Sequence, residues 1–73
     1  MPYKLTPAGE TVALRIPVAR NPEEGVLIYL YEHPGPTGVD VDELVGELSS
    51  SESVILKVVN KYINRDPPYL KEV

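Results

Sequence analysis

The chain has 73 residues, 42% of them hydrophobic and 25% charged, with a formal net charge of −4 and no cysteine. That composition belongs to a folded domain, and the length allows one small core with little surface to spare for an internal catalytic cleft, so an enzyme is not expected. Without cysteine neither a disulfide framework nor a thiolate zinc site can brace the fold, which makes an intracellular, cytoplasmic location the simpler expectation. No apolar run approaches the roughly 20 residues of a membrane span and no secretory signal is visible, so no membrane role is expected. One Met and no Cys or Gln lean toward a thermophilic composition.

The charge is unevenly distributed. Over residues 1–22, Lys4, Arg15 and Arg20 outweigh Glu10, a net +2. Residues 23–56 hold eight acids and no base, and residues 57–73 return to +2 through Lys57, Lys61, Arg65 and Lys71 against Asp66 and Glu72. If the two ends meet in space, the domain has a basic side and an acidic side, and a polyanion responds to that local field before the net charge.

In chain order, Tyr3 to Leu5 reads as a short strand and Thr6-Pro7-Ala8-Gly9 as a turn. Thr11 to Val18 alternates, with Val12, Leu14, Ile16 and Val18 on one side, the period of a half-buried strand. Pro17 cannot donate a ladder hydrogen bond, which assigns that strand to a sheet edge. Asn21-Pro22-Glu23-Glu24 is a helix start: Asn21 caps, Pro22 fits the first helical position and Glu24 is placed to reach back. This helix carries Val26, Leu27, Leu30 and Tyr31 inward and stops at His33 before Pro34-Gly35-Pro36. A second helix begins at Asp40, with Glu43 as capping partner and Val41, Leu44, Val45 and Leu48 as its apolar face, and ends near Ser49.

Three serines then connect it to a third helix over 52–64. On a helical projection Ile55, Leu56, Val58, Val59, Tyr62 and Ile63 share one apolar arc. Lys57, Lys61 and Arg65 lie about 40° apart on the opposite side, beside Ser53, Asn60 and Asn64, with Val54 alone among them. Asp66-Pro67-Pro68 breaks this helix, and Tyr69 to Val73 has the composition of a strand. Leu30, Leu44, Ile55 and Val59 are expected to meet in the core.

The succession of Tyr29-Leu30-Tyr31-Glu32-His33-Pro34-Gly35, Asp42-Glu43-Leu44-Val45, the serine turn, the helix from Val54 to Asn64, and Tyr69-Leu70-Lys71-Glu72-Val73 resembles the winged helix-turn-helix family over residues 21–73. The resemblance implies an α+β fold: a three-helix winged-helix-like core with a small antiparallel sheet formed by N-terminal and C-terminal strands. It divides the single domain into an N-terminal β segment, 1–20, and a helix-turn-helix core with its strand, 21–73. It also implies that the third helix enters the DNA major groove, with Ser51, Ser53, Val54, Lys57, Asn60, Lys61 and Asn64 at the interface and Arg65 continuing the basic face. Two features depart from the family: Glu52 stands at the leading end of that helix, and one C-terminal strand cannot form a whole wing. Pairing of Thr11–Val18 with Tyr69–Val73 is the expected substitute, bringing Arg15, Arg20 and Lys71 near the third helix.

Other chemistry has few candidates. His33 is the one histidine and suits a helix C-terminus; no second histidine or cysteine completes a nucleophile–base pair. Asp40, Asp42, Glu43 and Glu47 lack the calcium-loop spacing, and Gly35 and Gly38 lack the Lys-Ser/Thr of a phosphate-binding loop, so no metal or cofactor is expected. Tyr31 and Tyr62 have core spacing. Two functions remain open. One is duplex DNA binding, as a transcriptional regulator, with homodimerisation or a larger assembly extending a short site. The other is a protein-interaction module using the acidic surface or an exposed strand edge.

Overall fold

Side-chain caps open three of the four helices. In the computed structural model, which describes residues 2–73, the order is β1 (Pro2–Leu5), α1 (Pro7–Leu14), α2 (Pro22–Glu32), β2 (Val39–Asp40), α3 (Val41–Leu48), α4 (Glu52–Asn64) and β3 (Leu70–Glu72). The Asn21 carboxamide oxygen accepts the Glu24 amide at 2.9 Å, and Ser51 Oγ accepts the Val54 amide at 3.4 Å. Each satisfies one of the donors that a helix leaves open at its first turn. Glu24 reaches back one residue further than a capping box requires, accepting from the Arg20 amide and guanidinium. Asp40 occupies the N-cap position of α3 without a side-chain capping bond, and its backbone pairs with Pro2 as part of β2. Its expected partner Glu43 accepts the Tyr29 hydroxyl instead.

The described residues form an α+β fold with four helices and a three-stranded antiparallel sheet, ordered β2-β1-β3. The additional helix corrects the strand expected over 11–18. Thr6 Oγ1 accepts the Gly9 amide at 3.1 Å, Pro7 takes the first helical position and Glu10 stands in the first turn, so Thr6 to Gly9 opens a helix rather than a reverse turn. The inward residues are Gly9, Val12, Ala13 and Ile16, a helical spacing, while Leu14 and Val18 of the alternating set are 66% and 68% exposed. Alternation over so short a run coincided with a helix whose fully buried residues, Gly9 and Ala13, are small. The pairing of 11–18 with the C-terminal strand falls with it. The strand that pairs with β3 is β1, in the register Tyr3↔Glu72, Lys4↔Lys71 and Leu5↔Leu70.

The core lies between the sheet and the helices. Tyr3, Leu5, Val39 and Leu70 from the strands meet Ala13, Val26, Leu27, Leu30, Leu44, Ile55, Val58, Val59 and Tyr62 from the helices. Leu30, Leu44, Ile55 and Val59 are buried in one cluster, as their helical spacing requires. Tyr31 and Leu56 are not core residues: they are 41% and 38% exposed, each at the margin of its helix's apolar arc.

Two backbone positions are tightly constrained. A Cβ on Gly9 would overlap the carbonyl oxygen of Tyr69, where the Thr6 amide also donates to that oxygen at 2.9 Å. Ser49, between α3 and α4, has φ 53° and ψ 37°, the left-handed conformation in which Cβ is unfavourable. Gly9→Ala is expected to lower stability by about 1–3 kcal/mol through overpacking, despite the better helix propensity of alanine. Ser49→Gly is expected to raise it by a few tenths of a kcal/mol or more by removing the left-handed penalty. Leu44→Ala should cost about 2–5 kcal/mol as a buried large-to-small change. Urea unfolding of the three variants checks all three signs.

Candidate functional site

The outer face of α4 carries most of the residues expected at a ligand-facing surface. Ser53, Val54, Lys57, Asn60, Lys61 and Asn64 are exposed while Ile55, Val58, Val59 and Tyr62 are buried, so the helix divides into a packed side and a polar side as its sequence spacing requires. Lys57, Asn60 and Asn64 form no side-chain hydrogen bond or ion pair among the described residues. Ser51 is engaged as the helix cap, and its hydroxyl lies 3.2 Å from that of Ser53.

Two of the three expected cations have intramolecular partners. Lys61 Nζ is 3.0 Å from Glu23 Oε1 and 3.1 Å from Oε2, a pair that links α4 to the first turn of α2. The two side chains are 60% and 43% exposed, so solvent screens the attraction and the pair contributes little to stability. Arg65 lies over the Tyr69 ring at 3.8 Å, and Tyr69 in turn tilts against Tyr62 with centroids 5.5 Å apart. With the Tyr69 amide donating to the Tyr62 carbonyl at 2.9 Å, this stack fastens the end of α4 to the approach of β3. A groove of about 360 Å³ runs between α2 and α4, with Pro22, Val54 and Val58 as its apolar lining and Lys57, Lys61 and Glu23 at its edges. Glu23 was legible in the sequence only as a favourable first-turn acid; its role opposite Lys61 depends on how α2 crosses α4.

The remaining basic residues do not line this groove. Arg15 ends α1, and Arg20 is held beside the start of α2 by Glu24, whose carboxyl is kept below the usual range by that hydrogen bond. Neither lines the α4 groove. Lys71 stands opposite Lys4 on the paired strands and lines a separate hollow. The strand pairing expected to bring Arg15, Arg20 and Lys71 to α4 is not formed, because 11–18 is helical and irregular and β3 pairs with β1.

Packed against both α2 and α4, α3 turns Asp42, Glu43 and Glu47 to solvent. The Tyr29 hydroxyl donates to Glu43 Oε2 at 2.5 Å, and the Tyr29 ring stacks on His33 with centroids 4.0 Å apart. His33 Nδ1 bonds the Tyr29 carbonyl at 2.8 Å, so the histidine closes the C-terminal turn of α2. Among the described residues no group of three or more His, Asp or Glu side chains converges to hold a metal ion, and no helix is long and apolar enough to cross a membrane.

No protein-family model, no curated protein and no solved structure matches this chain. The functional reading therefore rests on the geometry of α4 and its surroundings.

Two phenols respond to these environments. Donation to the Glu43 carboxylate, reinforced by burial, pushes the Tyr29 hydroxyl up to about 12, and burial, reinforced by Glu23, pushes Tyr62 up to about 12. Both values lie above the ordinary 10.0, so their contribution to stability is fully present below about pH 10 and is lost as pH rises toward 12. Absorbance titration of the five tyrosines is expected to show two late-ionising phenols, with unfolding free energy declining over the same alkaline window. Glu43→Gln should bring Tyr29 back toward its ordinary range and leave Tyr62 late.

Proposed function

We propose that this chain is a small duplex-DNA-binding domain of winged-helix type, acting in transcriptional regulation and contacting DNA through the outer face of α4. The observation that carries the reading is that face: Lys57, Asn60 and Asn64 stand exposed and unengaged on the second helix of a helix-turn-helix pair, with no acid in the helix after Glu52. A helix so placed fits the major groove, where a basic flank meets phosphates and carboxamides meet base edges. Asn60 and Asn64 have the donor–acceptor pair that reads adenine bidentately, and Val54 offers an apolar contact for a thymine methyl. The three-residue connection through Ser49 in the left-handed conformation, and an antiparallel sheet that shares its core with the helices, support the winged-helix reading of α2, α3 and α4. The strand after α4 pairs antiparallel with β1, so the two strands proposed at a wing's position are brought together from distant parts of the chain.

Lys61 reaches such a phosphate by releasing Glu23, a step made easy by the exposure of both groups. Arg65 adds charge nearby while its guanidinium remains on Tyr69. An acidic protein with so few free cations binds weakly as a monomer, and two copies on adjacent half-sites would supply the missing contacts.

A second reading draws on α3. Its outward acids Asp42, Glu43 and Glu47 face solvent without a base in the element, a surface suited to a basic protein partner.

Fluorescence anisotropy with a labelled duplex separates the two. Replacing Lys57 and Lys61 together with Ala is expected to reduce the slope of log affinity against log salt by about 1.8, equally for unrelated duplexes. Asn60→Ala should alter preference among sequences with the slope nearly intact. Glu23→Gln should raise affinity by about two- to threefold, since it removes one like charge from the phosphate's surroundings and frees Lys61. Absence of binding by the unmodified protein at about 50 mM salt would overturn the DNA reading in favour of the protein partner.

A further inference from the structure

Lys4 and Lys71 are direct partners across the antiparallel β1–β3 pair. Residues so opposed project from the same side of the sheet with Cβ atoms about 4.5–5.5 Å apart, and two like charges in that position oppose each other. Neither lysine has an ion-pair partner among the described residues, although Glu10 and Glu72 stand nearby in the fold. Both line a hollow of about 480 Å³, a volume within the range of small-molecule sites. Its other lining comes from Leu5, Leu30 and Pro34, which are apolar, from Tyr31 and His33 near the end of α2, and from Pro7 and Glu10 of α1. The Nδ1 atom of His33 donates to the Tyr29 carbonyl, which fixes the ring where it lines the hollow. Two lysines against one glutamate give this wall a net positive charge on a protein of net charge −4.

We propose that this hollow binds a small organic anion, its phosphate or carboxylate head between Lys4 and Lys71 and its apolar or aromatic body against Leu30, Tyr31 and Pro34. The opposed lysines are then explained: an anion between them converts a repulsive cross-strand pair into two charge-assisted hydrogen bonds. The site shares no lining residue with the α4 groove and does not depend on DNA binding. Its elements connect it to the helices, since α1 and the end of α2 form one wall and the β1–β3 pair the other.

The test is an amide-resolved NMR titration of the full chain with phenyl phosphate, benzoate, inorganic phosphate and benzyl alcohol, each to about 10 mM. Saturable shifts clustered at Lys4, Leu5, Tyr31, His33 and Lys71 are expected with phenyl phosphate or benzoate, weaker ones with inorganic phosphate, and none with benzyl alcohol. Tighter binding of phenyl phosphate assigns a phosphorylated ligand; tighter binding of benzoate assigns a carboxylate. Lys4→Gln and Lys71→Gln should each weaken the preferred probe by about tenfold, whereas Lys57→Gln should leave it unchanged. Shifts that survive both substitutions, shifts spread over all lysines, or no shifts at all would overturn the proposal. So would a duplex that perturbs Lys4 and Lys71 while phenyl phosphate does not, since the lysines would then be a nucleic-acid contact.

Discussion

The structure depends on the pairing of β1 with β3, which ties residues near the start of the sequence to residues near its end. That pair is short, and its position is secured by contacts outside the ladder. Thr6 donates its amide to the Tyr69 carbonyl and its hydroxyl to the Pro68 carbonyl, while the Val73 amide donates to the Pro2 carbonyl. Gly9 then lets α1 approach the Tyr69 backbone more closely than any side chain would permit. The first helix, the central strand and the last strand are thereby set in one arrangement. The low cost of a missing side chain in α1 is offset by the contact it permits.

From this junction the order of the other elements follows. Tyr69 hands the constraint to α4 through its backbone bond to Tyr62, its ring contact with Tyr62 and the guanidinium of Arg65. With α4 fixed along its buried face, α2 and α3 pack against it through Leu30, Leu44, Ile55 and Val59. The polar face of α4 is then left outward by necessity, since the apolar face is fully used. Exposure of Lys57, Asn60 and Asn64 is thus a consequence of packing as well as the basis of the proposed interface.

Charge follows the same logic. The two basic ends do meet, but through Lys4 and Lys71 rather than through Arg15 and Arg20. The meeting separates positive charge into two places: a helical face on α4 and a hollow behind the β1–β3 pair. The acids of the middle segment are likewise divided. Glu23 turns toward Lys61 and Glu24 toward Arg20, while Asp42 and Glu47 face solvent on α3.

The sequence by itself determined the elements whose signals are local. The cap at Asn21, the serine turn, the Pro-rich stops after α2 and α4, and helical spacing in three segments fixed the bounds of α2, α3 and α4 and most of the core, because each signal acts within a turn or two of the chain. Only the tertiary structure decided the rest. The segment at 11–18 satisfies two periods at once, and although the Thr6 cap opens the helix locally, the tertiary structure adds the contact of Gly9 with the Tyr69 backbone, sixty residues away. The neutralisation of Lys61 by Glu23 and the opposition of Lys4 to Lys71 are likewise contacts between distant parts of the chain. Local propensity carries no information about such pairs; they arise when burial of the apolar faces brings the polar ones into register.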